Sequence, residues 1–401
     1  MIRPRPLARS PRGLRLLIVT HVAHYRNGDR WSAYGPYARE MELWAPLFAH
    51  VVIAAPRREG PPPADCLRID APNVSLAPQP ETGGATAGAK LAQLLLLPWS
   101  MLRLALAMTR ADVIHVRCPG NLGLLGALLA PLFARRRIAK YAGQWSAYPG
   151  EPRTVRLQRA ILRSRWWGAP VLVYGRDARD PDHVVGFFTS ILAGPQVARA
   201  AETARARVPH AGLRLLYVGR LSREKNVDIL LEAMACCGSS REITLTVVGD
   251  GSMRSALEQR AAALGIADRV RFTGALDFDA VLDQYAAADV VALPSTTEGW
   301  PKTLAEGMAF GACCIGPDRG VVPRMLADGR GFCVPPRDVR ALADLLDRLA
   351  GAPAERLAVG LRASAWATRF TRERFADAIR AAVARVCDDR PEPALMEATR
   401  V

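Results

Sequence analysis

The chain has 401 residues, more than one hydrophobic core usually supports, and half of them are hydrophobic, so two globular domains are expected and a disordered chain is excluded. The formal charge of +16 is unevenly spread: residues 1–200 hold 27 Lys/Arg against 12 Asp/Glu, residues 201–401 hold 27 against 26. A basic half needs an anionic partner. No nucleic-acid motif and no basic strand interleaved with aromatics accompanies the charge, so anionic lipid headgroups or a diphosphate-linked acceptor suit it better, with a merely Arg-rich composition as the plain alternative.

Residues 1–13 are rich in Arg and Pro and are expected to be disordered. The apolar run Leu16–Val19 is too short for a signal-peptide core, so Leu14–Thr20 reads as a first buried strand. A polar aromatic loop from His21 to Tyr37, a helix from Tyr37 to Ala49 and a strand at Val51–Ala55 follow. Many Pro and Gly residues mark 56–88 as a long surface connection.

Lys90–Thr109 is about the length of a membrane span, but Gln93, Pro98 and Arg103 interrupt it. An interfacial helix, with Lys90, Arg103 and Arg110 around an apolar body, and an ordinary core-packing helix both fit. Leu122–Phe133, followed by Arg135–Arg137, is a second candidate membrane-facing patch; cations at a helix end also need no membrane. Strands at Asp112–Val116, Ile138–Ala142 and Val171–Tyr174, with a helix at Glu151–Arg165, continue an alternation that predicts a parallel, doubly wound sheet.

Pro195–Ala211 is expected to join the halves. A second alternation runs from Leu213 to Leu349, and a helical run at Ala363–Val386 carries Trp366, Phe370 and Phe375. The predicted organisation is an N-terminal domain at 14–205, a C-terminal domain at 206–362, a helix at 363–387 and a flexible tail at 388–401. The eight cysteines include the adjacent pairs Cys236-Cys237 and Cys313-Cys314, with no CxxC pair and no zinc-ligand spacing; they read as small buried hydrophobes in a reducing cytosol.

The densest chemistry lies between Ser295 and Gly316. Glu298 and Glu306 bracket Gly299-Trp300-Pro301 and the helix-compatible run from Lys302, just after the buried strand Asp289–Pro294. Strand, tight loop and helix place Glu298 in the loop and Glu306 in the helix, with helix-start N–H groups between them that favour an anion. A ligand with one anionic part and hydroxyl-rich parts, such as a nucleotide-sugar, suits that set. On spacing alone, a capping Glu298 and a solvated Glu306 stand equally well.

Upstream, Gly219-Arg220-Leu-Ser-Arg-Glu-Lys225 follows a strand and would place two cations near its end. Gly249-Asp250-Gly251 and Arg271–Gly274 close two further strands. Asp277-Phe-Asp279 is similar to a metal-binding DxD, but its place before a helix favours an N-cap.

These stretches, from Leu215–Asn226 through Glu298 and Glu306, resemble the motifs of family 4 retaining glycosyltransferases, and the C-terminal half matches almost throughout. The resemblance implies an α/β GT-B fold, two doubly wound Rossmann-like domains facing across a cleft, with the last helix crossing back to the first domain. It assigns the donor diphosphate to Arg220 and Lys225, the transferred sugar to Glu298 and the ribose hydroxyls to Glu306. Gly249 and Phe272 would lie beneath or beside the nucleotide, and Gly299, Trp300, Thr303 and Leu304 would line the phosphate. Glu298, Arg220 and Lys225 are the expected catalytic residues, and no metal or cofactor is expected.

The N-terminal half departs from the family. A functional His-x-His is replaced by His115-Val116-Arg117, and a Gly-Gly loop by His21, His24, Tyr25 and Gly28, while Gln144-Trp145 stands where an aromatic residue or His is common. His115, Arg117 and Tyr25 are the acceptor-side candidates. Arginine cannot serve as a base, so Arg117 would bind an acceptor phosphate; His24 reads as structural.

The resulting expectation is a metal-independent, retaining glycosyltransferase working in surface polysaccharide or glycoconjugate assembly. It would transfer sugar from a nucleotide-sugar to a lipid-linked or saccharide acceptor on the inner face of the cell membrane, in peripheral contact with anionic lipid and without nucleic acid. The alternatives are a soluble enzyme acting on a small metabolite or glucan, a non-catalytic nucleotide-sugar-binding partner, and an epimerase on the same fold.

Overall fold

Leu16–Val19 is buried along its whole length, as a central parallel strand covered on both faces must be. The computed structural model describes residues 11–27, 30–63, 65–81, 87–238 and 243–387. It divides into two units, Met1–Phe188 together with Arg374–Val401, and Thr189–Glu373.

The strands of the first unit are β1 (Arg15–Val19), β2 (His24–Asn27), β3 (Arg30–Tyr34), β4 (His50–Arg58), β5 (Cys66–Arg68), β6 (Val74–Gln79), β7 (Val113–Cys118), β8 (Arg137–Tyr141), β9 (Val171–Val173) and β10 (Val184–Gly186). A parallel body runs β6-β4-β1-β7-β8-β9-β10, and the β2–β3 hairpin with β5 continues from the end of β4. The chain winds outward from β1 in both directions, so the strand order reverses between β1 and β7. Helices Ala87–Met108, Asn121–Phe133 and Arg153–Arg163 contribute Leu104, Met108, Leu122, Leu125 and Leu162 to a core beneath the sheet.

Several expectations change here. The loop expected from His21 to Tyr37 is the β2–β3 hairpin followed by a helix from Gly35 to Trp44. The connection expected over 56–88 contains β5 and β6, because Val51–Pro56 offers β6 a free parallel edge that local composition does not reveal. Of the segment expected to be disordered, residues 1–10 lie outside the described residues and Pro11–Gly13 form a 3-10 turn. The expected tail at 388–401 also lies outside them.

The second unit contains β11 (Leu213–Val218), β12 (Ile243–Val248), β13 (Val270–Gly274), β14 (Val290–Ala292), β15 (Cys313–Pro317) and β16 (Gly331–Val334), all parallel, in the order β13-β12-β11-β14-β15-β16. The winding reverses between β11 and β14. In open α/β sheets the crevice outside the strand carboxyl ends at such a reversal is where ligands bind. The loops entering that crevice are those after Val218 and after Ala292.

The division between units falls at Phe188, not at residue 205. The expected linker contains the helix Gly194–Ala206, whose small residues Ala200 and Ala204 are buried. A Cβ on Gly311 would lie 2.7 Å from Ala204 Cβ, and Arg207 Nε donates to Phe310 O at 2.8 Å, so this segment packs as part of the second unit. The expected helix at 363–387 is two: Pro353–Ala367 in the second unit, and Arg372–Cys387, which from Arg374 belongs to the first. Phe375 packs within the first unit, with ring centroids 5.7 Å from Phe187 and 5.9 Å from Phe188.

Candidate active site

Two loops 73 residues apart in sequence meet at the reversal point of the second unit. Lys225 Nζ lies 2.6 Å from Glu298 Oε1, with both side chains largely withdrawn from solvent. The loops are held together by Asn226, a buried residue in left-handed backbone with φ of 49°. Its Nδ2 donates to Pro294 O at 3.0 Å and to Thr296 Oγ1 at 2.8 Å, and its Oδ1 accepts from Arg337 Nη1 at 3.2 Å. Thr296 N in turn donates to Glu224 O at 3.0 Å. Asparagine tolerates this backbone where a β-branched residue does not, so one side chain both turns the chain and fixes the partner loop.

Both plain readings of the carboxylates fail. The Lys302–Ala309 helix starts at Pro301 with no side-chain cap, so Glu298 does not cap it. Glu306 is only 7% exposed, so it is no solvated helix residue. Beside it the Tyr285 hydroxyl is driven well above its ordinary pKa, first by burial and then by the Glu306 charge. A buried carboxylate facing hydroxyl-bearing groups is suited to accepting further hydroxyl hydrogens.

Arg220 is exposed in the same loop as Lys225, and its carbonyl accepts from the Tyr217 hydroxyl at 3.0 Å. Glu224 lies below the usual carboxylate range, first through the Ser222 hydroxyl that donates to it at 2.7 Å and also through the Lys225 and Arg220 charges. Thr303 Oγ1 donates to Val218 O at 2.9 Å, tying the helix start to the end of β11.

Two expected phosphate contacts change character. The Leu304 N–H donates to Pro301 O at 3.1 Å and its side chain is fully buried, so its amide is used in closing the first helical turn. Trp300 is buried and packs edge-on against Phe370, with centroids 5.3 Å apart, so it anchors the loop from behind. Gly299 and Thr303 remain at the loop and helix start.

Gly249 has a packing reason to be glycine. A Cβ there would lie 2.0 Å from Gly219 O, and its φ is +128°. Gly219 N donates to Val248 O and Gly249 N to Gly274 O, so the ends of β11, β12 and β13 close against one another backbone to backbone. Phe272 is half-buried on β13, the outer strand of this sheet. Asp277 caps its helix as expected, its Oδ1 accepting from Ala280 N at 2.8 Å. Among the described residues, no group of three or more His, Cys, Asp or Glu could hold a metal ion.

The acceptor-side candidates of the first unit have other employment. Arg117 Nη1 and Nη2 donate to the two oxygens of Glu40 at 2.7 and 3.1 Å, and Lys140 Nζ lies 2.8 Å from Glu40 Oε1, all buried. Arg117 is therefore committed to an internal carboxylate, not offered to an acceptor phosphate; a buried guanidinium needs such a partner. His115 is fully buried and stacked on Trp44 at 4.2 Å, and burial first, then Arg117, hold its pKa well below the ordinary value. Tyr25 sits in β2 and its hydroxyl accepts from Arg58 at 3.1 Å. His24 is structural as expected: its Nδ1 lies 2.8 Å from Val22 O and burial lowers its pKa to about 4. Trp145 is a core residue donating to Asp180 at 2.7 Å, and Gln144 turns back onto Ser146.

Residues 200–365 match the family described as glycosyl transferases group 1, a span that contains Arg220, Lys225, Glu298 and Glu306. The chain carries a glycosyl transferases group 1 domain. It is 32% identical over 235 residues to a D-inositol 3-phosphate glycosyltransferase of Streptomyces scabiei, 55% of this chain and 52% of the relative. The chain thus spans about half the length of the curated relatives it matches. Sucrose-phosphate synthase from Thermosynechococcus elongatus superposes with a TM-score of 0.68 over 94% of this chain and all of the other, at 19% identity. Anabaena HepE in complex with UDP and glucose gives 0.62 over 93% of this chain and all of the other, at 18% identity. These likenesses establish the GT-B fold expected from the motifs.

Within the glycosyl transferase domain, sequence reasoning missed Asn226, Thr296, Tyr285 and Arg337 as residues that set the site. Asn226 had a signal: an asparagine just after a polar strand-end loop and just before a helix is a candidate for left-handed backbone. The others act across the sheet and leave no local mark.

Proposed function

We propose that the protein is a retaining glycosyltransferase that moves a sugar from a nucleotide-sugar to a lipid-linked or saccharide acceptor, in surface polysaccharide or glycoconjugate assembly. The observation that carries this reading is the Lys225–Glu298 pair at the reversal point of the second unit, with Glu306 buried nearby in chain and fold. Lys225 and Arg220 would neutralise charge growing on the departing diphosphate, with no metal required. Glu298 would accept from hydroxyls of the transferred sugar and Glu306 from those of the ribose. The bond from sugar C1 to the diphosphate oxygen breaks as the acceptor hydroxyl attacks on the same face, and the departing phosphate oxygen takes the acceptor's proton.

The basic charge of residues 1–200 and the exposed apolar face of Ala87–Met108 support peripheral contact with anionic membrane on the cytoplasmic side. A soluble enzyme acting on a small metabolite is the second reading, favoured by the acceptor named in the Streptomyces relative.

Thermal shift with a panel of nucleoside diphosphates and nucleotide-sugars tests the donor site, because a ligand that binds only the folded state raises its melting temperature by mass action. One nucleotide series should stabilise the wild type and lose its effect with Glu306→Ala. No shift with any nucleotide would sink the donor assignment.

A further inference from the structure

The helix Ala87–Met108 buries one stripe and exposes another: Leu104 and Met108 enter the core, while Leu95 is 72% and Trp99 52% exposed. The segment Leu91–Met108 has a mean hydropathy of 1.6 and is long and apolar enough to cross a bilayer by length and composition. Leu102 and Leu106 extend the exposed stripe, and Leu132 and Trp166 stand exposed on neighbouring elements of the same unit. So wide an apolar surface needs a cover.

Where the C-terminal turns of this helix cross β1, β4 and β6, a cavity of about 390 Å³ opens. Its walls are mostly apolar, with Leu16, Val52 and Leu106 among them, but Arg15, Arg103 and Arg110 also line it. Among the described residues none of these guanidiniums forms an ion pair. Asp112 accepts from the Arg15 main-chain N–H at 2.9 Å, and Arg103 lies over the Trp99 ring at 5.8 Å. His50 lines the cavity with its Nε2 2.9 Å from Ser75 Oγ. Gln79 lines it too: it is only 5% exposed, its Nε2 reaches Ala77 O at 3.4 Å, and its Oε1 has no hydrogen-bond partner among the described residues.

We infer that this cavity is a headgroup site for an anionic phospholipid whose headgroup carries a hydroxyl, phosphatidylglycerol being the simplest. The three arginines supply charge-assisted donors for the phosphodiester. The buried Gln79 oxygen takes a hydrogen bond from the headgroup hydroxyl, which a bare phosphate ester lacks. The acyl chains run out along the exposed leucines and Trp99. The inference rests on the membrane contact proposed above and gives that contact a specific lipid ligand; it is independent of the donor site.

Co-sedimentation of the full chain with vesicles at physiological salt tests it, using phosphatidylcholine alone or mixed with phosphatidylglycerol or with phosphatidylmethanol, which has the same phosphodiester charge and no headgroup hydroxyl. Binding should require anionic lipid and favour phosphatidylglycerol several-fold. Arg103→Gln and Arg110→Gln should each weaken it about fivefold, whereas Arg135→Gln, outside the cavity, should change it less than twofold. Gln79→Leu should abolish the preference for phosphatidylglycerol while leaving binding to phosphatidylmethanol unchanged. Equal binding to both anionic lipids, with the three arginine variants indistinguishable, overturns the headgroup site and leaves the membrane contact standing. Failure to bind any vesicle overturns both.

Discussion

The Lys225 ammonium and the Glu298 carboxylate, 2.6 Å apart, join the loop after β11 to the loop after β14. A cation and an anion held at one point are what a substrate with a phosphate on one side and sugar hydroxyls on the other would separate and use. If Lys225 stabilises the leaving diphosphate, its charge-assisted bond contributes roughly 1.5–3 kcal/mol to the transition state. Lys225→Ala should therefore lower kcat/KM about ten- to a hundredfold or more. Because the Lys225 side chain keeps about a quarter of its surface in water, solvent can take its place beside Glu298, and the melting temperature should fall little. A large loss of stability with unchanged turnover would make the pair structural.

Asn226 predicts a different pattern. It is buried, left-handed and bonded to Pro294 O, Thr296 and Arg337, so Asn226→Ala leaves several of these groups without their partner. We expect a loss of about 1–3 kcal/mol in urea unfolding. Turnover should also fall, because the Glu298 loop loses its tether to Lys225. Asn226→Gly, which keeps the backbone freedom and removes the side chain, separates the two causes: it should recover part of the stability and none of the turnover.

The alternation of strands and helices in the second unit was legible because each β strand is a short apolar run ending in Gly or Pro, and because the charged residues cluster just past those ends. That clustering singled out Arg220, Lys225, Glu298 and Glu306, and the resemblance to family 4 glycosyltransferases supplied the roles expected of them. The β2–β3 hairpin, β5 and β6 were not legible. Cys66-Leu-Arg68 and Val74–Gln79 lack strand-like burial patterns and are strands only because β3 and β4 present edges to them. Arg117 was misjudged for a related reason. Its partner Glu40 lies 77 residues away, and nothing local distinguishes a guanidinium paired inside from one offered to a ligand.

Gly249 gives a test of packing against chemistry. A methyl group there meets Gly219 O at 2.0 Å in a backbone conformation that L residues rarely adopt. Gly249→Ala should therefore separate the ends of β11 and β12 and cost at least about 1–3 kcal/mol of stability. Nucleotide-induced thermal shifts should vanish with it. A variant that keeps wild-type stability but loses nucleotide binding would instead mean that the glycine is needed for close approach of the ligand alone.

Glu40 ties the stability of the first unit to pH. Burial by itself would raise its pKa, but the charges of Arg117 and Lys140 and the hydrogen bonds from both outweigh it and hold the carboxyl below its ordinary value of 4.5. A depressed carboxyl binds fewer protons folded than unfolded, so its contribution is complete above the ordinary carboxylate range and is lost as pH falls toward the folded value. Glu40→Gln leaves two buried cations without their anion and should destabilise the first unit by about 3–5 kcal/mol at neutral pH. Chemical denaturation of wild type and variant should show that gap unchanged from pH 8 to about pH 5 and shrinking below about pH 4, where the unfolded wild type takes up the proton. A gap that stayed constant into strong acid would mean that the buried triad is not held by the ionised carboxylate, and that Arg117 is paired some other way.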